Sequence, residues 1–262
     1  MGMTDSQREA ITQMLATAED LDRWRVRARE IERPERGSDL AQDDQIFERM
    51  PISEVVRYSL ASSGEHLRLA LDAVRAKQLY PSSHFTVLRG ALVGASQAVW
   101  VLAPDERGTR RDRGLTVIAE MYAQMDKYYK FLETTDLKAN DQTQLREQQL
   151  WLAERSAQVA ARKTTRATLN LTDVIGSAVD TTFRDRGSRE ALRGLWREMS
   201  ADAHVLGWSM FQRAVFGPVD RRTGLGEAKA GGEPELVAEP FLGSYRLLKR
   251  GWSLFDQRCE AR

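Results

Sequence analysis

One stretch of this chain is apolar on every side when it is wound as a helix, and it constrains the fold more than any other feature. Between His84 and Ala103 most positions carry Phe, Val, Leu, Ala or Trp, and Pro104 ends the run. Because a helix that is apolar all round must be covered, this one is predicted to lie at the centre of a helical bundle. Its most apolar part is interrupted by Ser96 and Gln97 and is too short for a membrane span.

The remaining segments repeat apolar residues at helical spacing, and none alternates apolar and polar residues as a strand would. The chain is therefore predicted to be all-α, a multi-helix bundle of about eight helices. Its predicted parts are an N-terminal helical extension (1–50), a central helical bundle (51–216), a flexible loop rich in Gly and charge (217–239) and a C-terminal helix that packs on the bundle (240–262).

Composition excludes several classes of function. The net charge of +1 gives no general attraction to nucleic acid or to an anionic membrane. The single cysteine, Cys259, rules out an intramolecular disulfide and a Cys-rich zinc site, and it fits a reducing compartment. The N-terminal sequence MGMTDSQREA is polar and has no apolar stretch typical of a signal peptide. A cytoplasmic protein without metal or cofactor is expected.

The clearest long amphipathic segment runs from Ser188 to Phe216, with Ser188 as the predicted N-cap and Gly217-Pro218 as its end. Stepping 100° per residue separates two faces. The apolar face, which is predicted to pack into the core, carries Leu192, Leu195, Trp196, Met199, Ala203, Leu206 and Met210. The opposite face carries Arg193, Arg197, Ser200, His204 and Trp208.

Arg197 and His204 form the sharpest candidate site. Seven residues are almost two helical turns, so the two side chains point within roughly 20° of each other, about 10.5 Å apart along the axis. A neutral imidazole can take a proton from a ribose 2′-hydroxyl, and a guanidinium can stabilise the charge that grows on phosphorus, without a metal. The alternative is a surface arginine and a histidine at a helix interface.

The segment Arg197-Glu-Met-Ser-Ala-Asp-Ala-His204 has the form R-x6-H, which resembles the R-x4–6-H signature of the HEPN superfamily. The resemblance covers this motif and a general helical layout from Ser53 to Phe216. It implies a small helical bundle, and many members are metal-independent ribonucleases of toxin–antitoxin or phage-defence systems. It further implies a homodimer that brings two motifs together, with RNA or an antitoxin protein as partner.

On this resemblance His204 is the general base and Arg197 stabilises the phosphate, while Arg193 and Ser200 assist. One position departs from the family pattern, since Glu198 stands where a polar residue, often Asn, commonly follows the arginine. An acid there repels phosphate, and many HEPN-like proteins are inactive or act as partners. The competing hypothesis is therefore a non-enzymatic interaction module that uses Trp208 and the same polar face.

Arg89 is the charged exception within the apolar stretch. One interpretation places it in the same cavity as Arg197, where it holds a phosphate or lines a pocket for a small ligand. The other makes it a buried arginine that pairs with a carboxylate, because an unpaired charge in a core is costly. The carboxylates considered are Glu65, Glu120 and Asp126.

The run from Arg107 to Arg113 holds four arginines, with Asp112 among them and Asp105 and Glu106 just before them. It is predicted to be a solvated, salt-bridged loop, with a grip on a nucleic-acid backbone as the alternative. Because the acids cancel most of the local field, the sequence does not indicate sequence-specific DNA binding.

Overall fold

The structure is a computed structural model that describes residues 2–261, and 71% of it is helical. The all-α prediction is confirmed. The helices are α1 (Asp5–Leu15), α2 (Ala18–Arg27), α3 (Asp39–Asp44), α4 (Ile52–Arg75), α5 (Ser83–Leu102), α6 (Arg107–Glu133), α7 (Ala139–Arg162), α8 (Leu171–Thr182), α9 (Arg186–Ala203), α10 (Trp208–Arg213) and α11 (Pro234–Cys259). Two strands, β1 (Ala214–Val219) and β2 (Gly226–Ala230), form one small antiparallel sheet.

The chain divides into two units. The first unit contains Met1–Glu32, Arg57–Trp100 and Thr172–Leu254. The second unit contains Arg33–Val56, Val101–Leu171 and Phe255–Arg262. The residues of the candidate site, from Arg89 to Trp208, all belong to the first unit.

Helix α5 supplies much of the core of the first unit, as its composition predicts. Its buried side chains include Phe85, Leu88, Ala91, Leu92, Ala95, Ala98 and Val99. Gly94 lets α4 approach closely, because a Cβ at this position would lie 2.6 Å from the backbone oxygen of Ser59. The stretch was predicted to be too short for a membrane span, but among residues 2–261 α5 is the one helix long and apolar enough to cross a membrane. More than half of its apolar window is nevertheless buried within the protein. Core packing thus accounts for its composition.

Aromatic residues join α2 to α11 in the first unit. Trp24 stacks on Trp252 with ring centroids 6.5 Å apart, and its ring lies 5.8 Å from that of Tyr245. The Tyr245 hydroxyl donates a hydrogen bond to Asp20, which lowers the pKa of that carboxyl. Burial and the same carboxylate raise the pKa of the Tyr245 phenol.

The run from Arg107 to Arg113 is not a loop, and that prediction is wrong. It forms the first two turns of α6 in the second unit, where the Glu106 side chain caps the helix by accepting from the Gly108 amide at 2.7 Å. Arg110 is buried and donates to Asp43 at 2.7 Å. The arginines therefore serve to neutralise acids of α3, which the local charge pattern does not show.

Two further segments differ from the prediction. The segment 217–239, predicted to be a flexible loop, contains the end of β1, all of β2 and the start of α11 at Pro234. Pro240, predicted to begin the last helix, lies inside it. The predicted N-terminal helical extension begins with two helices, α1 and α2, which are divided at Ala16 and Thr17.

Candidate functional site

Helix α9 carries most of the predicted site. The Asp185 side chain, rather than Ser188, is the N-cap, and it accepts from the Ser188 amide at 2.7 Å. The predicted apolar face is correct in its first half, where the buried side chains are Leu192, Leu195, Trp196 and Met199. This face anchors the helix and leaves Arg197 exposed to solvent.

The predicted continuation of this helix to Phe216 is wrong, because α9 ends at Ala203. The Leu206 amide donates to the Ala201 carbonyl at 2.8 Å, and the Val205 amide donates to the Asp202 carbonyl at 3.0 Å. This pair of bonds is a Schellman motif, with His204 as the C-cap and Val205 in the left-handed region at φ 56°. Leu206, predicted to be in the core, is 54% exposed.

A buried ion pair fixes the chain just beyond this end. Asp202 accepts from Arg213 and also from the hydroxyls of Ser209, at 3.1 Å, and Ser82, at 3.2 Å. The Arg213 guanidinium lies 3.7 Å from the ring centroid of Phe85. Sequence reasoning missed this pair, since its two members are eleven residues apart across a break in the helix. Its position makes it the anchor of α10 beside the candidate site.

Arg197 and His204 are both exposed. Arg197 makes a long hydrogen bond to the carbonyl of Arg193, at 3.4 Å, and has no carboxylate partner among the residues that the structure describes. The His204 side chain likewise has no hydrogen bond to any of residues 2–261. These two groups are open to a ligand, although His204 lies at the helix end rather than on the regular helical face that the spacing predicted.

Arg193 and Trp208 were predicted to share the polar face with Arg197, but Arg193 is paired with α8 and Trp208 lies on a different helix, α10. Arg193 donates to Asp180 of α8 at 2.6 Å, so its charge is already paired. Trp208 begins α10 after the break and is 45% exposed. Arg193 contacts Arg197 only through its backbone carbonyl, and no contact within residues 2–261 joins Trp208 to Arg197.

Arg89 does reach the predicted site. Its Nε donates to the hydroxyl of Ser200 at 3.3 Å, and its guanidinium lies 4.9 Å from the ring centroid of Trp196. The predicted pairing with Glu65, Glu120 or Asp126 is wrong, since Arg89 is only half-buried and no carboxylate of the described chain bonds to it. Ser200 lies about one helical turn from both Arg197 and His204. Helices α5 and α9 therefore each carry one guanidinium near this turn, Arg89 and Arg197, that has no carboxylate partner among the described residues.

Within the described part of the chain, Glu198 forms no ion pair with Arg89 or Arg197. Its side chain is half-buried, and burial raises the pKa of its carboxyl. The charged groups that act on it are Arg213, which lowers that pKa, and Asp202 and Glu239, which raise it. Arg89 and Arg197 are not among these groups.

Each of the two guanidiniums can bind a phosphate-sized anion, and the exposed imidazole of His204 can transfer a proton. In residues 2–261 no three His, Cys, Asp or Glu side chains come together as a metal site. Comparison with protein-family models, with curated proteins and with solved structures finds no match to this chain.

Proposed function

We propose that the protein is a HEPN-like, metal-independent ribonuclease that acts as a homodimer. The observation that carries the proposal is that Arg89 of α5 bonds to Ser200, which lies about one turn along α9 from the exposed Arg197 and His204. Among the residues that the structure describes, neither guanidinium is paired to a carboxylate. Unpaired arginines at an open surface favour a phosphodiester, because a guanidinium matches its oxygens in a bidentate fashion.

In this mechanism a neutral His204 takes the proton of the ribose 2′-hydroxyl, and the oxygen attacks the adjacent phosphorus. The P–O5′ bond breaks and leaves a 2′,3′-cyclic phosphate and a 5′-hydroxyl. Arg197 and Arg89 stabilise the negative charge on the phosphoryl oxygens of the transition state. The leaving oxygen takes a proton from water or from a His204 of a second copy, whose imidazole is protonated.

This chemistry fits a cytoplasmic protein of toxin or phage-defence type, because its substrate is cellular or viral RNA. The single cysteine, Cys259, is buried and has no second cysteine for an intramolecular disulfide, as suits a reducing compartment.

The test is cleavage of a fluorescently labelled single-stranded RNA by purified protein in the presence of EDTA. His204→Ala and Arg197→Ala are expected to lower the rate by at least about 100-fold. Arg193→Ala is the matched control, because Arg193 stands one turn away and is paired with Asp180. Equal cleavage by the wild type and by His204→Ala would contradict the proposal, as would a wild type that neither binds nor cleaves RNA.

A second candidate is a non-enzymatic interaction module, and the exposure of Trp208 favours it. A solvent-exposed tryptophan at the start of a short helix is a typical anchor for a protein interface. In this case association with a partner protein is lost in Trp208→Ala and survives in His204→Ala. The opposite result, loss in His204→Ala alone, would remove this candidate.

A further inference from the structure

The hairpin of β1 and β2 has one apolar face. Phe216 pairs with Ala228 and Val219 pairs with Gly226, so three steps along β1 match two steps along β2. Because residues two apart on a strand share a face, this β-bulge turns Val219 to the same face as Phe216. Val219 packs closely over Gly226, since a Cβ at Gly226 would lie 3.3 Å from a methyl carbon of Val219.

Helix α10 extends this apolar face. Trp208 and Phe211 are three residues apart and therefore share one side of the helix. The Phe211 ring centroid lies 6.4 Å from that of Phe216, so helix and hairpin meet through their aromatic rings. We define the hairpin surface as these residues and the two that precede them, namely Val205, Leu206, Trp208, Phe211, Phe216 and Val219.

Every member of the hairpin surface is exposed. Since an aromatic side chain presents roughly 150–250 Å² and an aliphatic one somewhat less, the exposed area is on the order of 600 Å². A stable interface of standard size buries about 800 Å² on each partner, of which at most about two thirds is apolar. The hairpin surface thus supplies the apolar area that one side of such an interface needs.

Backbone strain at Val205 points to the same use. A β-branched residue in the left-handed region is destabilised, and glycine is the usual residue at this position of a Schellman motif. The Val205 side chain is 90% exposed, so packing within its own chain does not compensate for the strain. Backbone strain is commonly retained at functional positions, so the strained and exposed Val205 indicates a contact with another molecule.

A two-stranded hairpin that is exposed on its surfaces is marginally stable at best. The edge of β1 is a poor site for a further strand, because Pro218 lacks an amide hydrogen and the bulge interrupts the ladder. Burial of the apolar face is therefore the remaining way to stabilise the hairpin, and the molecule that buries it must be present when the chain folds. A second copy of the chain meets this condition without any other molecule.

We propose that the hairpin surface packs against the same surface of a second copy across a two-fold axis. Such an interface is isologous, so the apolar faces, with their matching areas, cover each other. This inference rests on the homodimer of the proposed function and names the surface that joins the copies. It does not depend on the chemistry assigned to His204.

The test is sedimentation equilibrium of the full chain between about 1 and 100 µM. The wild type is expected to be a dimer, and Phe216→Ser is expected to weaken association by at least about 100-fold, because each dimer loses two buried rings. Phe131→Ser is the matched control, since Phe131 of α6 is 61% exposed and Phe216 is 60% exposed. The control is expected to leave the dimer unchanged.

A wild type that is monomeric over the whole range would overturn the inference, as would a Phe216→Ser dimer as tight as the wild type. Trp208→Ser repeats the test with the hairpin sequence intact, should Phe216→Ser fail to fold by circular dichroism. Failure of the ribonuclease proposal appears separately, as a wild-type dimer without RNA cleavage. A wild-type monomer that cleaves RNA with His204 would contradict only the dimer.

Discussion

Asp202→Ala is expected to lower the free energy of unfolding by about 3–5 kcal/mol, the range found when one member of a buried ion pair is removed. The side chains of Asp202 and Arg213 are 1% and 3% exposed. Without the carboxylate the guanidinium stays buried with backbone acceptors from Ser209, at 3.2 Å, and Pro81, at 2.5 Å, which do not neutralise its charge. The hydroxyl of Ser82 also loses its acceptor.

The double variant Asp202→Ala/Arg213→Met separates the two contributions to this loss. A methionine can fill much of the space above Phe85 without a charge, so the double variant is expected to recover at least about half of the loss. Asp180→Ala is the control for a partly exposed pair, because the side chains of Arg193 and Asp180 are 39% and 48% exposed. Asp180→Ala should lower the free energy of unfolding by at most about 1 kcal/mol.

Urea unfolding followed by circular dichroism measures all three variants at one pH. The reasoning fails if Asp202→Ala costs no more than Asp180→Ala, or if the double variant is less stable than the single one. Either result would mean that the pair is hydrated in solution and does not anchor α10.

Three further changes are expected to alter stability, each measured by urea unfolding. Tyr245→Phe should cost about 1–2 kcal/mol near neutral pH, because a phenol donates to a charged Asp20. The pKa of that carboxyl is lowered in the folded state, so its stabilising contribution is full above its unfolded value of 3.8 and is lost as pH falls through the lower folded value. The cost of Tyr245→Phe should therefore shrink below about pH 3.8, and a constant cost would contradict this prediction. Val205→Gly should stabilise the isolated chain by about 1 kcal/mol and weaken dimerisation, whereas a loss of stability would show that the left-handed residue is not strained. Gly94→Ala should cost about 1–3 kcal/mol through its clash with the backbone of α4, while the control Gly194→Ala, with nothing within 4 Å, should gain about 0.5–1 kcal/mol, and equal effects would refute the close approach of α4.

Several features of the fold could be predicted from the sequence because they follow from periodicity within a segment. The burial of α5 and of the first half of α9 depends on which residues share a face, and helical spacing gives that directly. The same spacing predicts the candidate site, since Arg197, Ser200 and His204 are about one turn apart. Arg89 stands out in the sequence as an isolated charge in an apolar run, and its partner in the structure, Ser200, belongs to the same predicted polar face.

The remaining features depend on contacts between distant residues, and only the tertiary structure decided them. The arginines after Arg107 are helical because Asp43 neutralises Arg110 from a different helix, which local charge counting cannot reveal. The end of α9 at Ala203 similarly depends on Arg213, which folds back onto Asp202. The β-bulge at Gly217 and Pro218 hides the strand period, so the hairpin has no alternating pattern to read.

The sequence by itself determined an all-α chain, its core helix and a polar set around Arg197. Tertiary packing decided that His204 caps the helix rather than lying on its face, and that Leu206 and Trp208 turn outward. The physical reason is that periodicity fixes which face of a helix is apolar, whereas the point where a helix ends depends on buried polar groups finding partners elsewhere in the chain.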